Sequence, residues 1–294
     1  MRKQFVKTVE SLMAADSRLV VLLGDISVFG FRNAFQLHPQ HIYNIGICEQ
    51  AMTSMGAGLA KTGLIPVLHS IAPFVVERCF EQIKVDFCYQ KLPGNIVSVG
   101  ASYDYAALGC THHCPGDVAV LRTLPGMEIV VPGTPAEFDQ LFRAAYAGPH
   151  PTYFRLSERS NPQAQNVEFG RANVLKQGKL ATVIAVGTAL PPVLAAVKDL
   201  DVTVLYYTTV APFDGETLKR NSHGGKIVLV EPFYAGTLVA DIYAALGTAA
   251  VAIQTIGVPH QFLTHYGHAE EHDEAIGLTP DAIRKRVTDF VRSS

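Results

Sequence analysis

Tryptophan is absent from this 294-residue chain, and so is any large excess of charge, since 24 Lys and Arg stand against 26 Asp and Glu for a formal net charge of −2. A near-neutral surface gives no reason to expect nucleic acid or an anionic membrane as partner. No apolar run of about 18 residues occurs, which excludes a helix spanning a bilayer. The opening residues (MRKQFVKTVESLMAADSRL) are basic but lead into no apolar stretch with a cleavage site. No signal peptide is therefore expected, and the expected location is cytoplasmic. Cysteines are few and odd in number: Cys48, Cys79, Cys88, Cys110 and Cys114, all in the first half. Reduced thiols fit that count better than a disulfide framework. What the chain has in quantity is apolar side chain, 48% of residues against 17% charged. That is ample for a large core, and the length suits two domains.

The stretch that organises the rest is IYNIGICEQAMTSMGAGLAKTGLIPVLHSIAPF, from Ile42 to Phe74. It reads as a short apolar strand (Ile42 to Ile47), a helix opening at Glu49, and a second strand around Leu64 to Leu68. The helix carries Ala51, Ser54, Gly56, Ala57, Gly58 and Ala60, small residues that let another backbone come close. Glu49 is the odd residue, a carboxylate where an apolar strand turns into a helix. It could simply complement the helix dipole, for roughly 0.3–1 kcal/mol. It could instead be a buried acid held protonated for proton transfer near neutral pH. A right-handed strand–helix–strand crossover would bring Glu49 and Phe74 to the carboxyl edge of one parallel sheet. A carboxylate beside an aromatic platform suits a flat, nitrogen-containing heteroaromatic ring.

The run GICEQAMTSMGAGLAKTG resembles the pyrimidine-binding segment of the transketolase family of thiamine-diphosphate enzymes. The resemblance implies that Glu49 shares a proton with N1′ of the cofactor's aminopyrimidine and that Phe74 stacks on that ring. Ile71 stands where the family has a second Phe, and Asp25 matches an Asp near the cofactor, although a turn cap is its plainer explanation. Farther on, GCTHHCPGD resembles the family's Gly-Pro-Thr-His-Gln segment. It puts His112 on a substrate-binding His, with His113 beside it, and Arg155 is expected among the substrate-binding groups. The resemblance continues through LRTLPGMEIVVPGTPAEF and, more loosely, to the C-terminus.

Thiamine-diphosphate enzymes hold pyrophosphate and metal through a Gly-Asp-Gly followed at a fixed distance by Asn. Here Gly24-Asp25 runs into Ile26, and no Asn lies at that distance. The resemblance thus implies that Mg2+ and the diphosphate are held mainly by a separate N-terminal, diphosphate-binding transketolase subunit, in an α2β2 heterotetramer acting on a small sugar substrate. This chain is not expected to ligate a metal. The segment CTHHC has soft ligands but lacks a second pair, and five residues do not easily wrap a tetrahedron. His265, His268 and His272 flank Glu270 and Glu271 in what reads as a solvated loop.

Apolar strands and helical periodicity alternate on both sides of a polar stretch, SERSNPQAQNVEFGRANVLKQGK. The expected fold is therefore α/β with two three-layer domains, a pyrimidine-binding domain over 1–160 and a smaller transketolase C-terminal domain over 179–294 with a mostly parallel sheet. Residues 161–178 read as the linker. The Gly187-Thr188 turn could hold an anion but lacks the glycine-rich cradle of a nucleotide site.

Departures from the family pattern cluster where transketolases read sugar. Leu108 stands where an acid is usual, Gly100-Ala101 where a His is usual, and Glu158, between Arg155 and Arg159, where an Arg is usual. Cofactor activation is untouched by these changes, whereas ordinary pentose-phosphate substrates are put in doubt. Competing readings are the β subunit of a 2-oxo acid dehydrogenase, which shares a Cys-Glu-Gln, a deoxyxylulose-phosphate synthase-like enzyme, and a scaffold without chemistry. The Thr-His-His segment and the helix opening Pro135-Ala136-Glu137 favour transketolase over the first. A carboxylate kept near an apolar strand end argues against the last.

Overall fold

Leu19–Leu23 are five apolar residues in succession, all buried, and they form β1 at the centre of the first domain. Such unbroken apolar runs mark parallel strands covered on both faces, and β3 (Ile65–Ile71), β4 (Gly94–Val99) and β6 (Pro151–Arg155) are likewise buried throughout. With β2 (Ile42–Asn44) and β5 (Glu128–Val130) they make a parallel sheet in the order β2-β1-β3-β4-β6-β5. The computed structural model describes residues 1–222 and 224–293.

The second domain has its own five-stranded sheet. It contains β7 (Ala172–Lys176), β8 (Thr182–Val186), β9 (Thr203–Tyr207), β11 (Lys226–Tyr234) and β12 (Ala252–Val258) in the order β12-β11-β8-β9-β7, with only β7 antiparallel. Between β9 and β11 lies β10 (Thr209–Ala211), which joins the other sheet, antiparallel to β5, as its seventh strand. The architecture is therefore two α/β domains with mostly parallel sheets, as the alternation of apolar runs and helical periods implies.

Two expectations need correction. Residues 172–176, read as linker, are β7. It is an edge strand with half-exposed side chains, so it lacks the apolar run that betrays a buried strand. His272 is not on a solvated loop. It is buried at 3% exposure in a helix, Ala269–Ile276, whose polar outer face hid it. The segment after Phe74 is built of two π-helical turns, Pro73–Glu77 and Ile83–Tyr89, around one α turn. Among the described residues no helix is long and apolar enough to cross a membrane.

Side chains tie the domains together. The helix Pro135–Ala145 opens with a capping box in which Thr134 and Glu137 satisfy each other's backbone amides. Glu137 Oε2 also accepts from the Tyr206 hydroxyl of the second domain at 2.8 Å. Arg159 reaches across to Asp273 at 2.6 Å.

Candidate active site

Glu49 opens the helix Glu49–Lys61 directly after the β2 edge and is 1% exposed. The small residues that follow let the helix seat closely. A methyl on Gly56 would lie 2.7 Å from Leu68 Cδ2 of β3. That close seating lowers the Glu49 carboxylate onto the end of β3, where Oε1 accepts from the Ser70 hydroxyl at 3.1 Å. Gly24, at the end of β1, forms the other wall, since a methyl there would stand 3.2 Å from Glu49 Cγ and 3.0 Å from Ser70 Oγ. A carboxylate removed from water needs such partners, and an opposite charge most of all.

The charge comes from Arg78, whose Nη1 donates to Glu49 Oε2 at 2.7 Å. The same guanidinium lies over Phe74, with Cζ 4.3 Å from the ring centre. Phe74 in turn meets the His112 ring nearly edge-on, at 5.3 Å between centroids and 71°. Tyr105 meets His112 nearly edge-on as well, at 6.4 Å between centroids. Tyr105 also crosses the tight turn at Gly100, where φ is +76° and a methyl would run into the tyrosine ring and fall 3.3 Å from Ile71. The structure thus brings together Glu49, Phe74, His112 and Ile71, four residues singled out from sequence, on the carboxyl edge of the first sheet.

Asp25 lies on the same edge but is exposed, with φ +57°, and is braced by Asn44, whose Nδ2 donates to its carboxylate at 2.9 Å. Two residues on, Ser27 is also left-handed at φ +64°. A buried histidine pins it. His69 Nδ1 donates to the Val97 carbonyl at 2.8 Å, which leaves Nε2 to accept from the Ser27 hydroxyl at 2.8 Å. Burial pushes His69 down to about 3, so the ring stays neutral across the physiological range. Arg2 Nε completes the chain by donating to Ser27 Oγ at 2.8 Å. Beside this loop opens a cavity of about 590 Å³ bordered by Arg2, Lys3, Asp25, Ser27 and Glu158.

Two expected substrate contacts lie elsewhere. Arg155 is 2% exposed, and its Nε bonds Asp117 at 2.7 Å while Nη2 bonds Ser102 at 2.7 Å. Ser102 itself donates to the Pro232 carbonyl of the second domain, so the charge of Arg155 is spent inside the domain junction. His113 turns away from His112 and packs on His272 at 5.6 Å between ring centroids. Burial, with help from His272, lowers its pKa. His112 closes a 3-10 turn over Cys110–His112, whereas His113 is extended, and of the two only His112 meets Phe74. Arg159 is committed as well, to Asp273 and Asp104.

Sequence reasoning missed Arg78, Ser70 and Tyr105. Arg78 had a signal, a lone cation in the apolar run PFVVERCF four residues after Phe74, which is helical spacing for a shared face. Ser70 and Tyr105 had none. Among the described residues, no group of three His, Cys, Asp or Glu side chains could hold a metal ion. All five cysteines are unpaired, with Cys79 and Cys88 pushed up to about 11 by burial.

Comparison with known proteins gives this geometry a context. Residues 1–163 match the model of the transketolase pyrimidine-binding domain, and residues 170–283 that of the transketolase C-terminal domain. An uncharacterized 33.6 kDa protein from the fasciation locus of Rhodococcoides fascians is 35% identical, covering 98% of this chain and 93% of that protein. A subunit of the apulose-4-phosphate transketolase of Phocaeicola vulgatus is 31% identical, covering 99% of this chain and 97% of its own length. Among solved structures, a split-gene transketolase described as an inactive beta4 tetramer superposes with a TM-score of 0.85 at 28% identity, covering 99% of this chain and 97% of that one.

Proposed function

The chain belongs to the transketolase family, and we propose that it is the pyrimidine-binding subunit of a two-component, thiamine-diphosphate-dependent transketolase. The reaction is transfer of a two-carbon ketol unit from a ketose or ketose phosphate to an acceptor aldehyde. The observation that carries this reading is Glu49, a carboxylate buried to 1% at a strand-to-helix junction with the Phe74 and His112 rings on the same edge.

The residues present fit an aminopyrimidine. Gly24 leaves a cradle beside Glu49 that a methyl group would fill. Phe74 offers an aromatic face, and Ile71 an apolar wall in place of a second ring. When bound, thiamine diphosphate supplies the electron sink that allows a carbon–carbon bond next to a carbonyl to break. Glu49 holds or shares a proton at the ring nitrogen it faces, which is general acid–base work by a positioned side chain. Ser70 orients the carboxylate through Oε1. His112 presents a ring nitrogen to substrate oxygens, while Phe74 and Tyr105 keep water from that side. Asp25 lies at the rim of the same edge. Arg155 and His113 serve the domain junction instead.

Pyrophosphate and Mg2+ fall to a partner subunit, because Gly24-Asp25 continues as Ile26. A docking face for it lies next to Glu49. Ile47 is 69% and Met55 48% exposed, and Tyr89 is 82% exposed, beside the outward small residues Ala51, Ser54 and Gly58. Exposed apolar side chains at the helix that carries Glu49, Ile47 and Met55 among them, suit an interface. The inactive beta4 state of the split-gene neighbour supports an α2β2 assembly in which this chain alone is idle. Five free thiols suit work in the cytoplasm.

The test is co-expression with the diphosphate-binding subunit, followed by assay with thiamine diphosphate, Mg2+, ketose donors and 2-oxo acids. Two-carbon transfer from a ketose is the expected result. Decarboxylation of a 2-oxo acid without ketol transfer would overturn it.

A further inference from the structure

We propose that Arg78 is a built-in rival of the cofactor's pyrimidine, a side chain that makes both of the ring's contacts itself and must withdraw before the ring can bind. This rests on the proposed function and adds a control element to the same site. A guanidinium is planar, delocalised, rimmed with N–H donors and prone to stack on aromatic faces. An aminopyrimidine shares those features. Arg78 uses them on the two residues assigned to the ring, donating to Glu49 at 2.7 Å and lying 4.3 Å above the centre of Phe74.

The two occupants exclude each other. Glu49 is 1% exposed and walled in by Ser70 on Oε1 and Arg78 on Oε2, so a newcomer reaches the carboxylate only by displacing one of them. Of the two partners only Arg78 has somewhere to go. Its side chain is 35% exposed, whereas Ser70 is fully buried on β3. The pair also has a purpose before assembly, because a buried carboxylate without a counter-charge is strongly destabilising. Arg78 supplies the counter-charge until the ring arrives, and cofactor affinity is reduced by the fraction of molecules in which the seat is taken.

The experiment compares wild type, Arg78→Ala and Arg78→Lys in the assembled two-subunit complex, titrating thiamine diphosphate with Mg2+ by calorimetry. Thermal melts of this chain alone, without added cofactor, accompany the titrations. Arg78→Ala should tighten the dissociation constant about tenfold, the scale of one exchanged charge-assisted hydrogen bond, and lower the melting temperature of the lone chain. Arg78→Lys keeps the charge without the planar fork and should fall between. Simple damage to the fold would weaken binding, so tightening is a result that damage cannot imitate. Binding that weakens in Arg78→Ala overturns the proposal, whether Arg78 then contacts the bound ring or only supports the fold that binds it. Unchanged binding also overturns it, since ring and arginine would then coexist. A wild-type complex that takes up no thiamine diphosphate removes the parent reading, and this proposal with it. Uptake by wild type with no tightening in Arg78→Ala removes this proposal alone.

Discussion

Glu49 in the first domain and Glu231 in the second are both buried carboxylates at the carboxyl edge of a parallel sheet, and they are held in opposite ways. Glu49 is held by side chains, Ser70 and Arg78. Glu231, near the end of β11, accepts from the backbone amides of Gly236 at 2.6 Å and Leu238 at 2.9 Å, and burial pushes it up to about 8. Backbone amides cannot leave without unravelling the loop they belong to, so Glu231 is a brace. Side-chain partners can be exchanged for a ligand, so Glu49 can act. Burial of an acid is thus a poor guide to chemistry until its partners are named.

The sharpest way to break this contrast is Glu49→Gln. The heteromer should still assemble, while turnover falls about 10²- to 10⁴-fold, the range for loss of a positioned acid–base group. Full activity in steady-state assays would move Glu49 into the same class as Glu231. Next in size is Arg155→Met, which tests whether the charge of Arg155 belongs to the junction. Leaving Asp117 buried without its partner should cost about 3–5 kcal/mol in chemical denaturation. A normal unfolding midpoint together with a raised substrate KM would return Arg155 to the cleft.

The last effect, expected from Glu231→Gln, lies in pH dependence. A carboxyl raised from 4.5 to about 8 stays protonated in the fold while the unfolded chain ionises, so its contribution to stability is full below about 4.5 and is lost as pH rises toward 8. Melting curves from pH 5 to 8 should therefore show Glu231→Gln gaining on wild type as pH rises, with turnover of the complex unaffected. The buried His69 stays neutral in the fold of both proteins, and its titration in the unfolded chain is common to both and cancels in the difference. A constant gap across that range would mean that Glu231 is not the titrating brace.

How much was legible in the sequence follows from what each residue type reveals. Fully buried parallel strands show as nearly unbroken apolar runs, as in β1 (LVVLL), β8 (TVIAV) and β9 (TVLYY), which is what makes the alternation of the two domains legible. Glu49 stood out because a carboxylate is conspicuous between an apolar strand and a small-residue helix. Edge strand β7 and the helix Ala269–Ile276 were lost because exposed faces blur periodicity. Arg155 misled for a different reason. An arginine closing an apolar strand looks free to reach a ligand, and its acid partner Asp117 lies 38 residues earlier, beyond any local pattern. The role of Arg78 depends on two partners, one of them 29 residues upstream, which spacing does not reveal.

Thr209–Ala211 carry a lesson about modularity. These residues sit in the second half of the chain yet complete the first half's sheet by pairing with β5. Cutting the protein between its two family segments would uncover the main-chain donors and acceptors along that border, an invitation for a neighbouring chain to zip on. Any recombination of this subunit's halves, in the laboratory or by evolution, has to bring that three-residue ribbon along or find another way to hem the sheet.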